Sequence, residues 1–364
     1  MVTLTVEMNT GVAREGIVYV KSADYTMALV VKQNQEVELL PYGYRAGSEA
    51  IQFAKPLSEI SDLTAASADH IAVTGKYVIV AAPNEAPVVL DALTGEFVQT
   101  LDLGEMAGAN AAITADSEGN IVVSSFAEAA GFRIGRMKDI NDTLEVFATH
   151  TSVEYGKDMS VVGDVYGDAR ITLMYSPWSS GTTGHLLFTV SGGVADGGYW
   201  SNVTAGDGVT AKIDNNNGDV IYRDMGEGAP YFMSGYSGDV FVWIENGIAL
   251  DAQLSVPSGD EWMIGSVCLD VAKFNNAYYL MTAADTYFDY GYSTAAIIDA
   301  TNLDNFKKGA TIYTTSEYGW SAINAGGGNT DCALWVSEDG VYMYAYCLYS
   351  NGSLGCIRVD CLAE

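Results

Sequence analysis

Residues 111–126 read A-A-I-T-A-D-S-E-G-N-I-V-V-S-S-F. An apolar run leads into Asp116-Ser117-Glu118-Gly119-Asn120, and a β-branched run, Ile121 to Val123, follows. Asp can bond backbone amides just ahead of it, and Gly takes positive φ without cost, so the middle is a tight turn. The stretch therefore predicts strand, turn, strand, and it is the unit on which the rest of the chain is built.

Upstream of that hairpin lies V-Q-T-L-D-L-G-E-M (98–106). The same order occurs earlier, as Q-F-A-K-P-L-S-E-I (52–60) followed by H-I-A-V-T-G-K-Y-V-I-V-A (70–81). Leu57 precedes Gly75 by 18 residues, and Leu101 precedes Gly119 by the same 18. One strand, a loop, then a hairpin is the outer strand of one β-propeller blade followed by the inner hairpin of the next. Weaker copies of the turn fall at Gly167, Gly218, Asn276 and Gly340, giving steps of 44, 48, 51, 58 and 64 residues. Six blades are expected, or seven if Gly238 (S-G-D-V-F-V-W) opens one of its own. After Val341–Leu348 and Leu354–Val359 the last blade lacks an outer strand. Ala50–Leu57 would supply it and close the ring, removing both open edges.

Composition agrees with an all-β chain. Gly (39) and Tyr (23) are abundant, Pro (7) is scarce, and no long stretch has 3.6-residue apolar periodicity. Lys and Arg number 17 against 46 Asp and Glu, a formal net charge of −29 that repels phosphate backbones and anionic lipid. Nucleic acid is thus not an expected partner. No apolar run approaches the roughly 20 residues of a membrane helix, and Met1 leads straight into strand-like V-T-L-T-V-E rather than a signal peptide. The five cysteines (268, 332, 347, 356 and 361) include no CxxC and are odd in number, which predicts buried thiols, no metal, and at most one bridge among Cys347, Cys356 and Cys361.

Ahead of the repeats, alternating strands are expected at Val2–Glu7, Gly16–Lys21 and Tyr25–Val31. Residues 2–33, V-T-L-T-V-E-M-N-T-G-V-A-R-E-G-I-V-Y-V-K-S-A-D-Y-T-M-A-L-V-V-K-Q, resemble the C-terminal part of a BACON domain. That is an immunoglobulin-like sandwich common in exported Bacteroidetes proteins beside carbohydrate-active modules. About 100 residues make a complete sandwich, so residues 1–33 would be its remnant, 34–49 a linker and 50–364 the propeller. The whole chain resembles exported Bacteroidetes proteins that join such a module to a six-bladed ring. This implies an outer-surface or periplasmic setting rich in glycans.

Propeller strand order puts the hairpin turns at one end of the ring and the remaining loops at the other, where propeller ligands usually sit. Those loops carry Trp178, Trp262, Asp285, Tyr287, Phe288, Asp289, Tyr290, Tyr292, Glu317, Tyr318 and Trp320. Aromatic faces pack on sugar C–H groups and carboxylates accept from hydroxyls, so this set predicts a glycan- or glycoprotein-binding surface. Paired acids drawn from Glu261, Asp285, Asp289 and Glu317 would instead allow glycoside hydrolysis. Sialidases are six-bladed but gather three arginines and carry Ser-x-Asp-x-Gly-x-Thr-Trp turns. Here A-D-S-E-G-N lacks the Thr-Trp, and of seven arginines only Arg223 falls near the expected ligand end. D-N-N-N-G-D (214–219) has its Gly one place early for an EF-hand and reads as a turn. His70, His150 and His185 fall in different blades without a nucleophile signature. The expectation is a binding module without catalysis or cofactor, with a sialidase-like hydrolase or lyase and a protein-interaction scaffold as alternatives.

Overall fold

The computed structural model describes residues 14–21, 25–33, 38–125, 132–151, 158–175, 184–205, 218–235, 238–254, 264–286, 294–314 and 330–363. Six small antiparallel sheets stand around an axis as the blades of a β-propeller. Blade 1 comprises His70–Val73, Tyr77–Ala81, Val88–Asp91 and Phe97–Thr100. Blade 2 comprises Asn110–Ala115, Ile121–Ser125, Phe132–Met137 and Glu145–His150. Blade 3 runs Met159–Gly163, Ala169–Tyr175 and Gly184–Ser191, then divides its outer edge between Val194–Ala195 and Tyr199–Asn202. Blade 4 has Val220–Tyr222, Tyr231–Gly235, Gly238–Glu245 and Ile248–Leu254. Thr204–Ala205, the continuation of blade 3, adds to its rim in parallel. Blade 5 has Ile264–Phe274, Ala277–Thr286, Thr294–Asp299 and Ala310–Thr314.

Blade 6 is composite. Thr330–Val336, Tyr342–Tyr349 and Ser353–Asp360 come from the end of the chain. Its outer strand, Ala50–Pro56, comes from the beginning and pairs antiparallel from Ser353↔Pro56 to Arg358↔Ala50. The expected closure is therefore present, with Leu57 already in the following 3-10 turn.

The hairpin at 110–125 forms for the reasons its residues give. Asp116 Oδ1 accepts from Glu118 N (3.0 Å) and Asn120 N (2.8 Å), and Gly119 sits at φ +82°. Ile121, Val122 and Val123 are wholly buried. Apolar clusters between successive blades hold the ring together. Leu57, Ile71, Val80 and Leu354 meet between blades 6 and 1, and Val122, Phe132, Ile171 and Phe188 between blades 2 and 3. Each such side chain contributes roughly 1.5–3 kcal/mol when fully buried.

Two sequence expectations are corrected in blade 4. Gly218 precedes the first strand, and the inner turn lies at residues 223–230, where Ala229 N donates to Gly226 O. Gly238–Glu245 is the third strand of blade 4 and opens no seventh blade.

Before the ring, Arg14–Lys21 and Thr26–Gln33 pair as a hairpin with Ile17 opposite Val30, joined to no other described sheet. Ile17, Tyr19, Met27 and Val30 are exposed on it. The third expected strand, Val2–Glu7, lies outside the described residues. From residue 38 the connecting segment is tied to the ring. Leu39 bridges Leu362, and Arg45 Nε and Nη2 donate to the two Asp360 carboxylate oxygens at 2.8 and 2.7 Å. Asn275 Nδ2 donates to Leu40 O and Gly43 O, which fixes the segment at the hairpin-turn end of blade 5. All five cysteines are free, buried thiols. Among the described residues no helix is long and apolar enough to cross a membrane.

Candidate functional site

Every blade has an Asp or Asn on its inner strand or just ahead of it: Asp69, Asp158 and Asp219 precede theirs, Asn110 and Asp331 lie at the start, and Asp270 falls within Ile264–Phe274. Three of them clamp the next blade. Asp219 accepts from Leu269 N (3.1 Å), Asp270 from Leu334 N (2.6 Å), and Asp331 from Ile71 N (2.7 Å). Each also accepts from the amide that follows it, Val220 N, Val271 N or Cys332 N. The innermost strand of each blade has no neighbour on its axial side, so amides on that edge lack ladder partners, and a carboxylate is the acceptor that reaches them. Ser160 Oγ donates to Asp219 (2.8 Å), which extends the series to blade 3.

Across the axis, His70 is held by two carboxylates, Asp69 Oδ1 at Nδ1 (2.7 Å) and Asp158 Oδ1 at Nε2 (2.9 Å). Burial opposes its charge, but the two acids together raise its pKa well above 6.5. Burial and the nearby Asp158 push Asp219 up to about 7. Burial alone pushes Asp270 up to about 7 despite its two amide donors. Burial also lifts Asp331 well above the ordinary carboxylate range, against the pull of His70.

These groups line an axial cavity of about 390 Å³ that runs from Asp158, Asp219 and Asp331 to Ser117, Asp224, Lys273 and Trp335. The first set lies just ahead of or at the start of the inner strands, Ser117 and Asp224 lie in hairpin turns, and Lys273 and Trp335 are next to last in their strands, so the cavity extends along the axis from one end of the ring toward the other. The Trp335 indole lies over the hairpin turns of blades 1 and 2. A Cβ on Gly75 would meet its Cζ2 at 2.5 Å, and one on Gly119 its Cη2 at 3.2 Å. Among the described residues no group of three or more His, Cys, Asp or Glu is placed to hold a metal ion.

Of the residues singled out in the sequence, Trp178, Trp262, Tyr287, Phe288, Asp289, Tyr290, Tyr292, Glu317, Tyr318 and Trp320 lie outside the described residues, as does Glu261. Asp285 belongs to the second strand of blade 5, across from Ser266. The strands flanking those segments are all described. By strand direction Tyr175, Leu254, Thr286 and Thr314 end at the same end of the ring as Asp158, Asp219 and Asp331 begin. Arg223 does not: it follows the inner strand of blade 4 and sits at the hairpin-turn end, a further correction. There Arg223 Nε donates to Asp224 (2.8 Å) and Nη1 to Thr301 O (2.8 Å).

The sequence matches the profile of a domain of unknown function, DUF8500, over residues 53–360. The chain belongs to the DUF8500 family. The matched span begins inside the closing strand and ends with the strand it pairs, so the DUF8500 domain is the whole ring. No curated protein matches the sequence significantly. Among solved structures, this DUF8500 chain is similar to a DUF4623 family protein from Bacteroides eggerthii. The TM-score is 0.61 at 14% identity, covering 96% of this chain and 83% of that one. It is also similar to an arginine-to-alanine triple mutant of AofleA from Arthrobotrys oligospora. There the TM-score is 0.51 at 11% identity, covering 90% and 95%. At such identities the likeness is one of fold.

Proposed function

We propose that this protein is a non-catalytic binding propeller that takes a glycan or glycoprotein at the loop end of its ring, outside the cell. One observation carries the reading. The strands bordering the aromatic-rich segments end around the same channel mouth that Asp158, Asp219 and Asp331 line. Sugar hydroxyls suit that acceptor-rich mouth, and rings around it would pack on sugar C–H faces. The channel acids argue against hydrolysis. Asp219, Asp270 and Asp331 hold backbone amides of neighbouring blades, whereas a glycosidase needs one acid free to give its proton and another free to attack. A sialidase-like site has less behind it, because the arginines are used in the blade walls. Arg45 binds Asp360, Arg136 binds Val165 O and Gly193 O, and Arg170 binds Asp224 O.

A glycan array followed by titration tests this. Replacing Trp320 or Tyr290 by Ala is expected to weaken binding by roughly 1–3 kcal/mol, as for a central anchor, with stability nearly unchanged. Product release on the array would establish turnover instead. Silence there, with protein captured by the same loops, would favour a scaffold.

A further inference from the structure

The two channel mouths differ in which charges are left without a partner. At the loop end His70 stands between Asp69 and Asp158, with Asp219 and Asp331 beside them; at the hairpin-turn end Lys273 and Arg223 stand with Asp116 and Asp224, beside Tyr278 and Trp335. We propose that the hairpin-turn mouth is a separate subsite for a small carboxylate-bearing sugar.

Lys273 is the centre of the argument. The chain has 17 basic residues against 46 acidic ones; like Lys55, Lys76, Lys138, Lys307 and Lys308, Lys273 is in no ion pair among the described residues, and it is the lysine among them that lines the axial cavity. Lys273 is exposed. Its Nζ instead lies 5.6 Å from the centre of the Tyr278 ring. The acids around it already have donors. Asp224 is bound by Arg223 Nε and Gly226 N, and Asp116 by Glu118 N, Asn120 N, Asn120 Nδ2 and Val165 N. Arg223 lies over the same Tyr278 ring at 4.9 Å and is fixed by Asp224 and Thr301 O. This mouth thus offers one unneutralised cation beside two aromatic side chains, Tyr278 and Trp335, that line the same cavity.

A ring with C–H faces and one carboxylate meets those groups together: carboxylate to Lys273, ring to the aromatic lining, hydroxyls inward. The reverse orientation would place the anion at the loop end, where both ring nitrogens of His70 are already held by Asp69 and Asp158 and no other cation lines the cavity. The cavity, about 390 Å³, falls in the range of small-molecule sites, roughly 300–1,000 Å³. A neutral sugar would gain the stacking but leave Lys273 unanswered.

The test is calorimetric titration of the full chain with sodium glucuronate and N-acetylneuraminate, with glucose as the neutral control. Binding of either acid but not of glucose is expected, weakened about tenfold by Lys273→Gln and by raising ionic strength from about 0.05 to about 0.5 M. The acid that binds identifies the sugar class. Equal binding of glucose, an unaffected Lys273→Gln variant, or no binding of either acid would overturn the proposal. The loop-end reading would survive any of those results, because it is measured at Trp320 and Tyr290.

Discussion

Asp219, Asp270 and Asp331 stabilise the ring by accepting amides of the next blade, yet each is held in a protonation state that costs something at neutral pH. Their folded pKa values lie above the ordinary 3.8, so the folded state binds more protons and stability falls as pH rises from about 4 to about 7. His70 works in the same direction. Its pKa is raised above 6.5, so its contribution is complete below that value and is lost as pH rises through the folded pKa. The urea midpoint is therefore expected to be higher near pH 5 than at pH 8. Asp270→Asn should flatten this slope, since one titrating group is gone. It should also lower stability at pH 5 by about 1–2 kcal/mol, because one of the two amides of Leu334 and Val271 loses its acceptor. A variant that keeps the wild-type slope would show that Asp270 takes no part in it. An Asp or Asn lies on or just ahead of every inner strand, a regularity the sequence carries but the sequence reading did not use. Among 46 acidic residues that signal is hard to separate from surface charge, and only the shared axis makes it plain.

Elements repeated with a clear turn were legible. Gly75, Gly119, Gly167 and Gly340 lie in the inner turns of their blades, and Ala50–Pro56 closes the ring as the missing outer strand required. Blade 4 was misread for a local reason. Its inner strand, Val220–Tyr222, is only 3 residues long, while N-N-N-G just before it has the composition of a turn. Register followed the strongest Gly signal rather than the strand. The aromatic residues expected to bind ligand fall on connections, where composition names candidates but carries no period that fixes their placement. For the closing strand, deleting residues 1–33 is expected to leave cooperative unfolding of the ring intact. Deleting through Leu57 should abolish it, since Ser353–Asp360 loses its partner strand and Leu57 leaves the core between blades 6 and 1. Circular dichroism melts of the two truncations check this. Equal melting of both would mean that the strand only decorates blade 6.

Over the whole molecule, the thiols report on blade packing. Cys268, Cys332 and Cys347 share the apolar core between blades 5 and 6, and Cys356 lies in the core between blades 6 and 1. Burial pushes the pKa of each upward, so little thiolate forms at neutral pH. A thiol reagent is expected to label none of these four in the native protein at pH 7 and all of them in urea, read by intact mass. Native labelling of Cys332 or Cys347 would mean that blades 5 and 6 separate on their own. The composite blade has a different consequence. Because residue 50 and residue 358 are paired neighbours in one sheet, the ring is continuous in space across the point where the chain enters and leaves it. Its covalent beginning is therefore arbitrary. Joining the ends of the ring and reopening it between Leu93 and Thr94, which are exposed, would give a circular permutant with the same six sheets, whose closure would then fall within blade 1.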